Sequence, residues 1–440
     1  MTVAAQNDVV NALYGEFFAR GVRHFLPSCN IETLGNPNAD PPAFTLNPRP
    51  DGRLEVQWGG LEYAVHHDGR SLSANEVRLV AAISNVLAAR YRSLFNSEFS
   101  ATSFGLFRGL PEDHYVAAFL DPATYLETNI RPSTLDRISD ALEVLRITSL
   151  TTYENRRVST GVLLLGSDPR SCPAGAVPYN SELAAIKSFH RLSDGRRTVF
   201  LVNPDGKLVD LADVCDFSGA NRDSKLPAPS SATYQAHARA TLDGDHICLV
   251  LTPNGEIKVW AQGVQQFNFL DGRWHLTEAT ERYRQWARAV GDERLAELLF
   301  TVALNRAEAR QGGMFVVLED PAVARQFVSP VDLLFDGETS HGRKDQIQYL
   351  LRGRRVLDMA PTVLQTLSRL DGAIVLDTAS NLLAFGAILR HDLTIAPESE
   401  IVEGSRTTAA LESSRFGSVL KISEDGMVSF YKNRVRVWEI

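Results

Sequence analysis

Apolar residues recur at helical spacing along several stretches of the chain, and these stretches predict its helices. In residues 8–20, four apolar side chains form one predicted buried stripe: Val9, Leu13, Phe17 and Phe18. Residues 73–92 open with Ser73 and, three positions later, Glu76, a spacing typical of a capping box. Further helices are predicted at residues 132–148, 184–192, 277–291, 292–311, 358–368 and 407–413.

Short runs that are either alternating or wholly apolar predict the strands. Asn254-Gly255 marks a tight hairpin turn between two such runs. Residues 315–318 are all apolar, which suits a strand buried on both faces. The strands are predicted within residues 53–66, 115–119, 160–165, 197–203, 208–214, 246–251, 257–262, 265–274, 314–319, 373–377, 382–389, 419–423 and 427–431.

The order of these elements predicts an α/β protein of three domains. Residues 1–170 form an α/β sensor-like domain, and residues 180–276 form a β-rich middle domain. A proline-containing linker, residues 168–178, separates the two. Residues 277–440 form a C-terminal mixed β-sheet flanked by helices.

Composition indicates an ordinary globular protein. Of the 440 residues, 44% are hydrophobic and 22% are charged, and the net charge of −8 argues against a protein that coats nucleic acid. The apolar runs are strand-length, whereas a membrane helix needs about 20 apolar residues. No signal-peptide pattern opens the chain, so we expect a cytoplasmic protein without a membrane span. Its four widely spaced cysteines are expected to be reduced thiols: Cys29, Cys172, Cys215 and Cys248.

Two other groups of residues allow both a functional and a structural interpretation. His66, His67 and His114 are potential metal ligands, but no further ligand stands at usable spacing, which favours surface or core histidines. A lysine and four aromatic residues of the middle domain form either a binding face or the core of a small sheet. These are Lys258, Trp260, Phe267, Phe269 and Trp274.

Two turns of small residues near the C-terminus each carry one charged side chain. Asp371-Gly372 precedes a predicted strand, and Gly404-Ser405-Arg406 precedes a predicted helix. Such turns expose backbone N–H groups and let a ligand approach the main chain. Asp371 offers a carboxylate for a metal ion or a hydroxyl proton, and Arg406 offers a guanidinium for phosphate. Together they predict a nucleotide site; the alternative for Asp371-Gly372 is a tight turn that opens a strand.

The order of elements from residue 298 onward resembles the diadenylate cyclase domain, also called the DisA-N domain. The order is a helix, an apolar strand, a second helix, an Asp-Gly-Ala turn, a hairpin, a Gly-x-Arg turn, a short helix and a final hairpin with a Ser-Glu turn. The matching segments are residues 298–319, 370–389, 404–410 and 419–429. The resemblance covers about residues 280–440, near a third of the chain.

Members of that bacterial family join two ATP molecules head to tail into the second messenger cyclic di-AMP, release pyrophosphate and use Mg²⁺ or Mn²⁺. The resemblance implies that Asp371 lies near the metal ion and the ribose 3′-hydroxyl, whose deprotonation it assists. It also implies self-association, because each C-terminal domain supplies half of the product. The N-terminal region would then detect an unknown signal and control how two such domains meet. The implied nucleotide-binding residues are Gly372, Ala373, Leu389, Gly404, Ser405, Arg406, Thr407, Thr408, Ser423 and Glu424.

The sequence departs from the family at its second motif, which is usually Gly-Thr-Arg-His-Arg. Thr407 stands in place of the histidine and Thr408 in place of the second arginine, so an imidazole and one positive charge are missing. Leu370 precedes Asp371, where the family often has histidine. Three basic residues are candidates to replace the lost charge: His391, Arg415 and Lys421. Three hypotheses stay open: a divergent sensor-regulated cyclase, a regulator that binds nucleotide without turnover, and a scaffold for assembly.

Overall fold

The chain folds as an α/β protein of two compact units. The first consists of residues 1–224 and 236–278, and the second of residues 225–235 and 279–440. The computed structural model describes residues 3–35, 44–58, 61–95, 105–126, 136–166, 172, 174–186, 188–221, 223–334, 348–390 and 404–440. Within these stretches, no helix combines the length and the apolar character that crossing a membrane requires.

The first unit contains two larger sheets and a short ribbon. Four strands pair antiparallel: β1 Cys29–Gly35, β2 Thr45–Pro48, β3 Leu54–Trp58 and β4 Leu61–His67. Their order is β1-β4-β3-β2. The ribbon pairs β5 Thr152–Tyr153 with β6 Arg156–Arg157.

Seven further strands of this unit form its largest sheet. They are β7 Thr160–Leu164, β8 Thr198–Val202, β9 Leu208–Asp213, β10 Ile247–Leu251, β11 Ile257–Ala261, β12 Val264–Leu270 and β13 Arg273–Leu276. Their order is β13-β12-β11-β10-β7-β8-β9, and β7 and β8 are parallel while the other neighbours are antiparallel. The division of residues 1–276 into two domains stays a prediction; β7, which precedes the predicted linker, pairs with β8 and β10, which follow it.

The described helices that accompany these sheets differ widely in length. They are α1 Val3–Phe25, α2 Ala74–Phe95, α3 Pro111–Leu120, α4 Ala123–Leu126, α5 Arg137–Ser149, α6 Ser181–Ala184, α7 Val214–Ser218 and α8 Gln235–Ala240. The predicted helix at residues 184–192 is instead split between α6 and a 3₁₀ turn at Phe189–Arg191. The helix predicted from residue 132 is described from Arg137, with Asp136 as its N-cap, and residues 132–135 lie outside the described stretches.

Helix α1 buries a different face from the one its sequence pattern predicts. The residues against the core follow one another at spacings of four and three: Tyr14, Phe18, Val22 and Phe25. Three residues of the predicted stripe are exposed instead: Val9, Leu13 and Phe17. The helix carries two adjacent apolar stripes, and the pattern alone does not select the one that meets the core.

Residues 115–119 lie in helix α3, so the predicted strand is wrong. Pro111 in the first turn, followed by the acidic residues Glu112 and Asp113, favours a helix start. Every residue from position 113 to 119 is buried, so the segment lacks the polar face that gives a helix its usual period. A short apolar run of this kind is compatible with a buried strand and with a buried helix.

The residues left with two interpretations belong to the packed interior of the first unit. His67 is buried, and its Nε2 is 2.9 Å from Glu76 Oε1. His114 is also buried, with Nδ1 3.0 Å from the Tyr125 hydroxyl. Three of the aromatic side chains are buried in the seven-stranded sheet: Trp260, Phe267 and Trp274. These five side chains are therefore packed in the interior of the first unit.

The second unit contains a six-stranded mixed sheet with helices on both faces, and the α/β class predicted from the sequence is confirmed. Its strands are β14 Gly313–Leu318, β15 Ala373–Asp377, β16 Leu382–Ala387, β17 Gly417–Ile422, β18 Val428–Lys432 and β19 Val435–Glu439, of which β19 is not predicted. Their order is β16-β15-β14-β17-β18-β19, with β14 and β15 parallel and the other neighbours antiparallel. Its described helices are α9 Ala279–Val290, α10 Glu293–Glu308, α11 Ala324–Phe327, α12 Pro361–Leu367 and α13 Ser405–Ser413.

Strand β14 is buried along its whole length because helices cover both faces of the sheet. On one face, Val316 shares a hydrophobic cluster with Ala410 of α13. On the other face, Trp286 of α9 packs edge-on against Phe430 of β18, with ring centroids 5.5 Å apart. The wholly apolar run at residues 315–318 therefore lies in the strand buried on both faces that it predicts.

Glu76 at the start of α2 makes a pH-dependent contribution to stability. Its carboxylate accepts the Ser73 amide at 2.8 Å, as the capping box predicts, and also contacts Arg70 at 2.6 Å and His67 at 2.9 Å. Burial acts to raise the pKa of Glu76, but these hydrogen bonds prevail and lower that pKa to about 2. A carboxyl with a lowered folded-state pKa stabilises above its ordinary value of 4.5 and loses that contribution as the pH falls towards 2.

We expect Glu76→Gln to lower the free energy of unfolding by about 2–3 kcal/mol at neutral pH. The difference from the wild type should shrink as the pH falls from about 5 to about 3, because the wild-type carboxylate then loses its advantage. Urea unfolding at a series of pH values measures this. Glu62→Gln on β4 is the matched control. A Glu76→Gln difference that stays constant with pH contradicts the assignment.

Candidate functional site

The sheet of the second unit brings the predicted site segments to the same end of its strands. We call this end of the sheet the site edge. Strands β14 and β15 are parallel, so Gly312 and Asp371, which lie just before them, are at the same end of the sheet. Strand β17 is antiparallel to β14, so the turn that follows it, with Glu424, is at that end too. Helix α13 carries Arg406 in its first turn. Strand order therefore gathers residues that are far apart in the sequence.

The turn at Asp371 depends on Gly372, which has a positive φ of 106°. A Cβ on this glycine would lie 2.6 Å from the carbonyl carbon of Gly386 and 2.7 Å from the carbonyl oxygen of Ala387, both on strand β16. The Gly372 amide donates to Asp371 Oδ1 at 3.0 Å, while the Asp371 side chain is 94% exposed. The carboxylate is therefore anchored through one oxygen and open to solvent.

Arg406 lies between two carboxylates at this edge. Its Nη1 is 2.7 Å from Glu424 Oε1, and its Nη2 is 3.6 Å from Asp371 Oδ1. The guanidinium also lies against Gly312, where a Cβ would clash with Nη1. The Arg406 side chain is 43% exposed, so solvent screens both ion pairs. Phosphate oxygens can replace these carboxylates as partners without the cost of separating a buried pair.

Lys421 stands beside Thr407, the position at which the resembling family has histidine. From strand β17, Lys421 Nζ donates to Thr407 Oγ1 at 3.1 Å. Burial lowers the pKa of the Lys421 amine, while nearby carboxylates act in the opposite direction. Of the other candidates for the missing charge, Arg415 pairs with a glutamate three residues away, and His391 lies outside the described stretches. The structure thus places the Lys421 ammonium group beside the Thr407 hydroxyl.

Arg306 of α10 belongs to the site, although the sequence pattern does not reveal it. It is buried, its guanidinium donates to the Gly312 carbonyl, and its Nη1 is 3.5 Å from Ser368 Oγ. Burial lowers the pKa of Arg306, and the neighbouring Arg369 and Arg406 lower it further. The one sequence signal that could have identified Arg306 is its place among the apolar, core-facing positions of α10. Its role is to fix the glycine against which Arg406 lies.

The other predicted nucleotide-binding residues take different positions. Ser423 closes the turn between β17 and β18. Thr408 donates its hydroxyl to the Gly404 carbonyl at 3.4 Å, and both Gly404 and Ser405 are exposed at the start of α13. Leu389 is buried in the hydrophobic core of the second unit. Its side chain therefore packs with other apolar residues.

The carboxylates at the site edge are potential ligands for the Mg²⁺ or Mn²⁺ that the resemblance implies. In the part of the chain that the structure describes, no three or more histidine, cysteine, aspartate or glutamate side chains form a group that could hold a metal ion. Mg²⁺ in nucleotide sites commonly uses one or two protein carboxylates together with phosphates and water. The open carboxylate of Asp371 meets that smaller requirement, and the expected Mg²⁺ or Mn²⁺ stays a prediction.

Comparison with known proteins gives partial likenesses. No protein-family model and no curated protein matches the chain. A hypothetical membrane spanning protein from Bacillus cereus matches with 17% identity and a TM-score of 0.23. The match covers 32% of this chain and 61% of that protein, so this chain spans about three fifths of that protein's length. A double cysteine mutant of DacA from Staphylococcus aureus matches with 18% identity and a TM-score of 0.20, over 35% of this chain and 87% of that one. At these scores neither structure establishes a shared fold.

We expect Gly372→Ala to destabilise the second unit by about 2–4 kcal/mol, because the new Cβ meets main-chain atoms at a positive φ. Thermal unfolding of the full chain measures the loss. Gly353→Ala is the matched control: Gly353 also has a positive φ, of 66°, but its Cβ would meet nothing within 4 Å. The control should cost about 1 kcal/mol. Equal losses at the two positions would show that the close approach to β16 is unimportant.

Proposed function

We propose that the second unit is a nucleotidyltransferase of the diadenylate cyclase type, which condenses two ATP molecules into cyclic di-AMP and releases pyrophosphate. The observation that carries the proposal is the convergence of Asp371 and Arg406, 3.6 Å apart, on two glycine-containing turns at one edge of the sheet. The resemblance in motif order supplies the reaction and the adenine base. Glu424 and Lys421 extend the same edge with one more carboxylate and one more cation.

The proposed reaction assigns a separate role to each charged group. Asp371 accepts the proton of the 3′-hydroxyl of one ATP as its oxygen forms a bond to the α-phosphorus of the other. The bond from that phosphorus to the oxygen bridging the β-phosphate breaks, and pyrophosphate leaves. Arg406 binds the triphosphate and stabilises the charge that develops on it. The same step with the two nucleotides exchanged closes the ring.

Each unit binds one ATP in this scheme, so two copies of the chain must face each other. A bound Mg²⁺ or Mn²⁺ would be held by Asp371 and phosphate oxygens and would neutralise part of the triphosphate charge. Before ATP binds, Arg406 is engaged by Asp371 and Glu424. When phosphate replaces Asp371 on the guanidinium, the carboxylate is released to accept the proton.

A second candidate function is nucleotide binding without turnover. Thr407 and Thr408 are neutral where the family has histidine and arginine, and the cation bonded to the Thr407 hydroxyl is the partly desolvated Lys421. Loss of one charged phosphate contact can reduce a rate by about two to three orders of magnitude while binding persists. This candidate predicts ATP binding by calorimetry and no cyclic product. A pure scaffold would bind no nucleotide, and Arg406→Ala would then change no nucleotide assay.

We expect purified protein incubated with ATP and Mn²⁺ or Mg²⁺ to form cyclic di-AMP, detected by mass spectrometry. Asp371→Asn should lower the rate by about 100-fold or more, because the amide cannot accept the hydroxyl proton. Asp320→Asn is the control, since Asp320 follows β14 at the opposite end of that strand. ATP binding without product supports the second candidate. If ATP neither binds nor reacts, both candidates are wrong.

A further inference from the structure

The first unit contains a cavity lined only by residues of that unit. Its volume is about 90 Å³, roughly that of three water molecules. It lies at the end of the seven-stranded sheet where Ile247 of β10 pairs with Ala261 of β11. Arg78 of α2 and Phe119 and Leu120 of α3 form the wall contributed by the helices. The cavity therefore has a cationic and an apolar part, both held by regular secondary structure.

Arg78 is a half-buried arginine without a carboxylate partner in the described part of the chain. Its guanidinium lies over the Phe119 ring, with Cζ 4.4 Å from the centroid. Burial alone lowers the pKa of Arg78, so no neighbouring carboxylate offsets the desolvation. Partly buried arginines usually pair with an acidic group, because desolvating an unpaired charge costs free energy. A stacked guanidinium keeps its edge N–H groups available for an oxyanion.

Two turns with left-handed backbone form the rest of the rim. Gln262, with φ of 55°, lies in the two-residue turn between β11 and β12, and this turn is tied to Thr241 by a hydrogen bond from the Gly263 amide at 3.2 Å. His246 also lines the cavity, and its Nδ1 accepts the Gly166 amide at 2.9 Å, which places the ring proton of the neutral imidazole on Nε2. The rim thus contains the Gln262 side chain on a turn fixed by a main-chain hydrogen bond, and the His246 imidazole fixed by the Gly166 amide.

One lining group opposes an anion. Asp245 is exposed and carries a carboxylate on the turn just before His246. It is not within ion-pair distance of Arg78, since the structure gives Arg78 no salt bridge among the described residues. A bound anion would therefore gain from Arg78 and lose from Asp245. These opposite contributions allow a test in which two variants move affinity in opposite directions.

From the cavity, the unpaired guanidinium and its stacking on Phe119, we infer a binding site for a small oxyanion, a phosphate or a short carboxylate, in the first unit. Arg78 binds the anion through its N–H edge, and the apolar wall limits the ligand to a few heavy atoms. A volume of about 90 Å³ suits a ligand of a few heavy atoms. All lining residues belong to the first unit, so this site is distinct from the one that contains Arg406.

The test is calorimetric titration of the full-length chain with inorganic phosphate and, separately, with acetate. All titrations use an Arg406→Ala background, so that phosphate contacts in the second unit do not contribute. We expect one of the two anions to bind, and the one that binds identifies the head group. Arg78→Gln should weaken binding about tenfold or more, and Arg78→Lys, which keeps the charge but not the planar fork, should weaken it less.

Asp245→Asn should tighten binding by about two- to fivefold, because it removes a nearby negative charge. Arg92→Gln is the matched control, since Arg92 is another half-buried arginine of α2, bonded to the Tyr125 carbonyl. Thermal unfolding of each variant verifies that it is folded; if Arg78→Gln is not, Arg78→Lys and Asp245→Asn decide. The inference is overturned if neither anion binds at about 10 mM, or if affinity is the same with and without the Arg78 side chain.

Discussion

The paired contacts of Arg406 with Asp371 and Glu424 are the interaction on which the candidate site depends. These three residues come from three separate segments, and only the strand order of the second unit brings them to one edge. The parallel pair β14 and β15 places two strand starts at that edge, and the antiparallel β17 adds the turn after it. Gly312 leaves the space that the guanidinium fills. A change in any of these features would move the Asp371 carboxylate away from the Arg406 guanidinium.

The same contacts are exposed ion pairs, which is compatible with the exchange of partners that the proposed function requires. Exposed ion pairs contribute about 0–1 kcal/mol each to stability. Two such pairs orient the Arg406 side chain but are weak enough to exchange partners. In the proposed function, a triphosphate with several negative charges would compete with each carboxylate for the guanidinium. Buried Arg306, bonded to the Gly312 carbonyl, adds positive potential beside Arg406. Lys421, beside Thr407, supplies a cation in a part of the site that the motif alone leaves neutral.

Sequence patterns predict the elements of this fold better than the faces those elements bury. The hairpins and the central strand of the second unit follow from turn residues and apolar runs, because both signals are local. Residues 115–119 have no polar face to set a period, and α1 has two apolar stripes, so tertiary packing decides both. Asp371 and Arg406 stand out as charges in glycine turns. Arg306, Gly312 and Lys421 do not, because their roles depend on spatial neighbours far away in the sequence.

The central claim is that Asp371 and Arg406 act on the same bound triphosphate, and a double-mutant cycle on ATP binding tests it most directly. Calorimetry with Mg²⁺ would compare the wild type, Asp371→Asn, Arg406→Ala and the double variant. If both side chains act on the same bound triphosphate, their effects on the free energy of ATP binding are coupled by about 1 kcal/mol or more. Asp371→Asn then changes ATP affinity little in the Arg406→Ala background. Effects that add within about 0.5 kcal/mol would contradict the shared site.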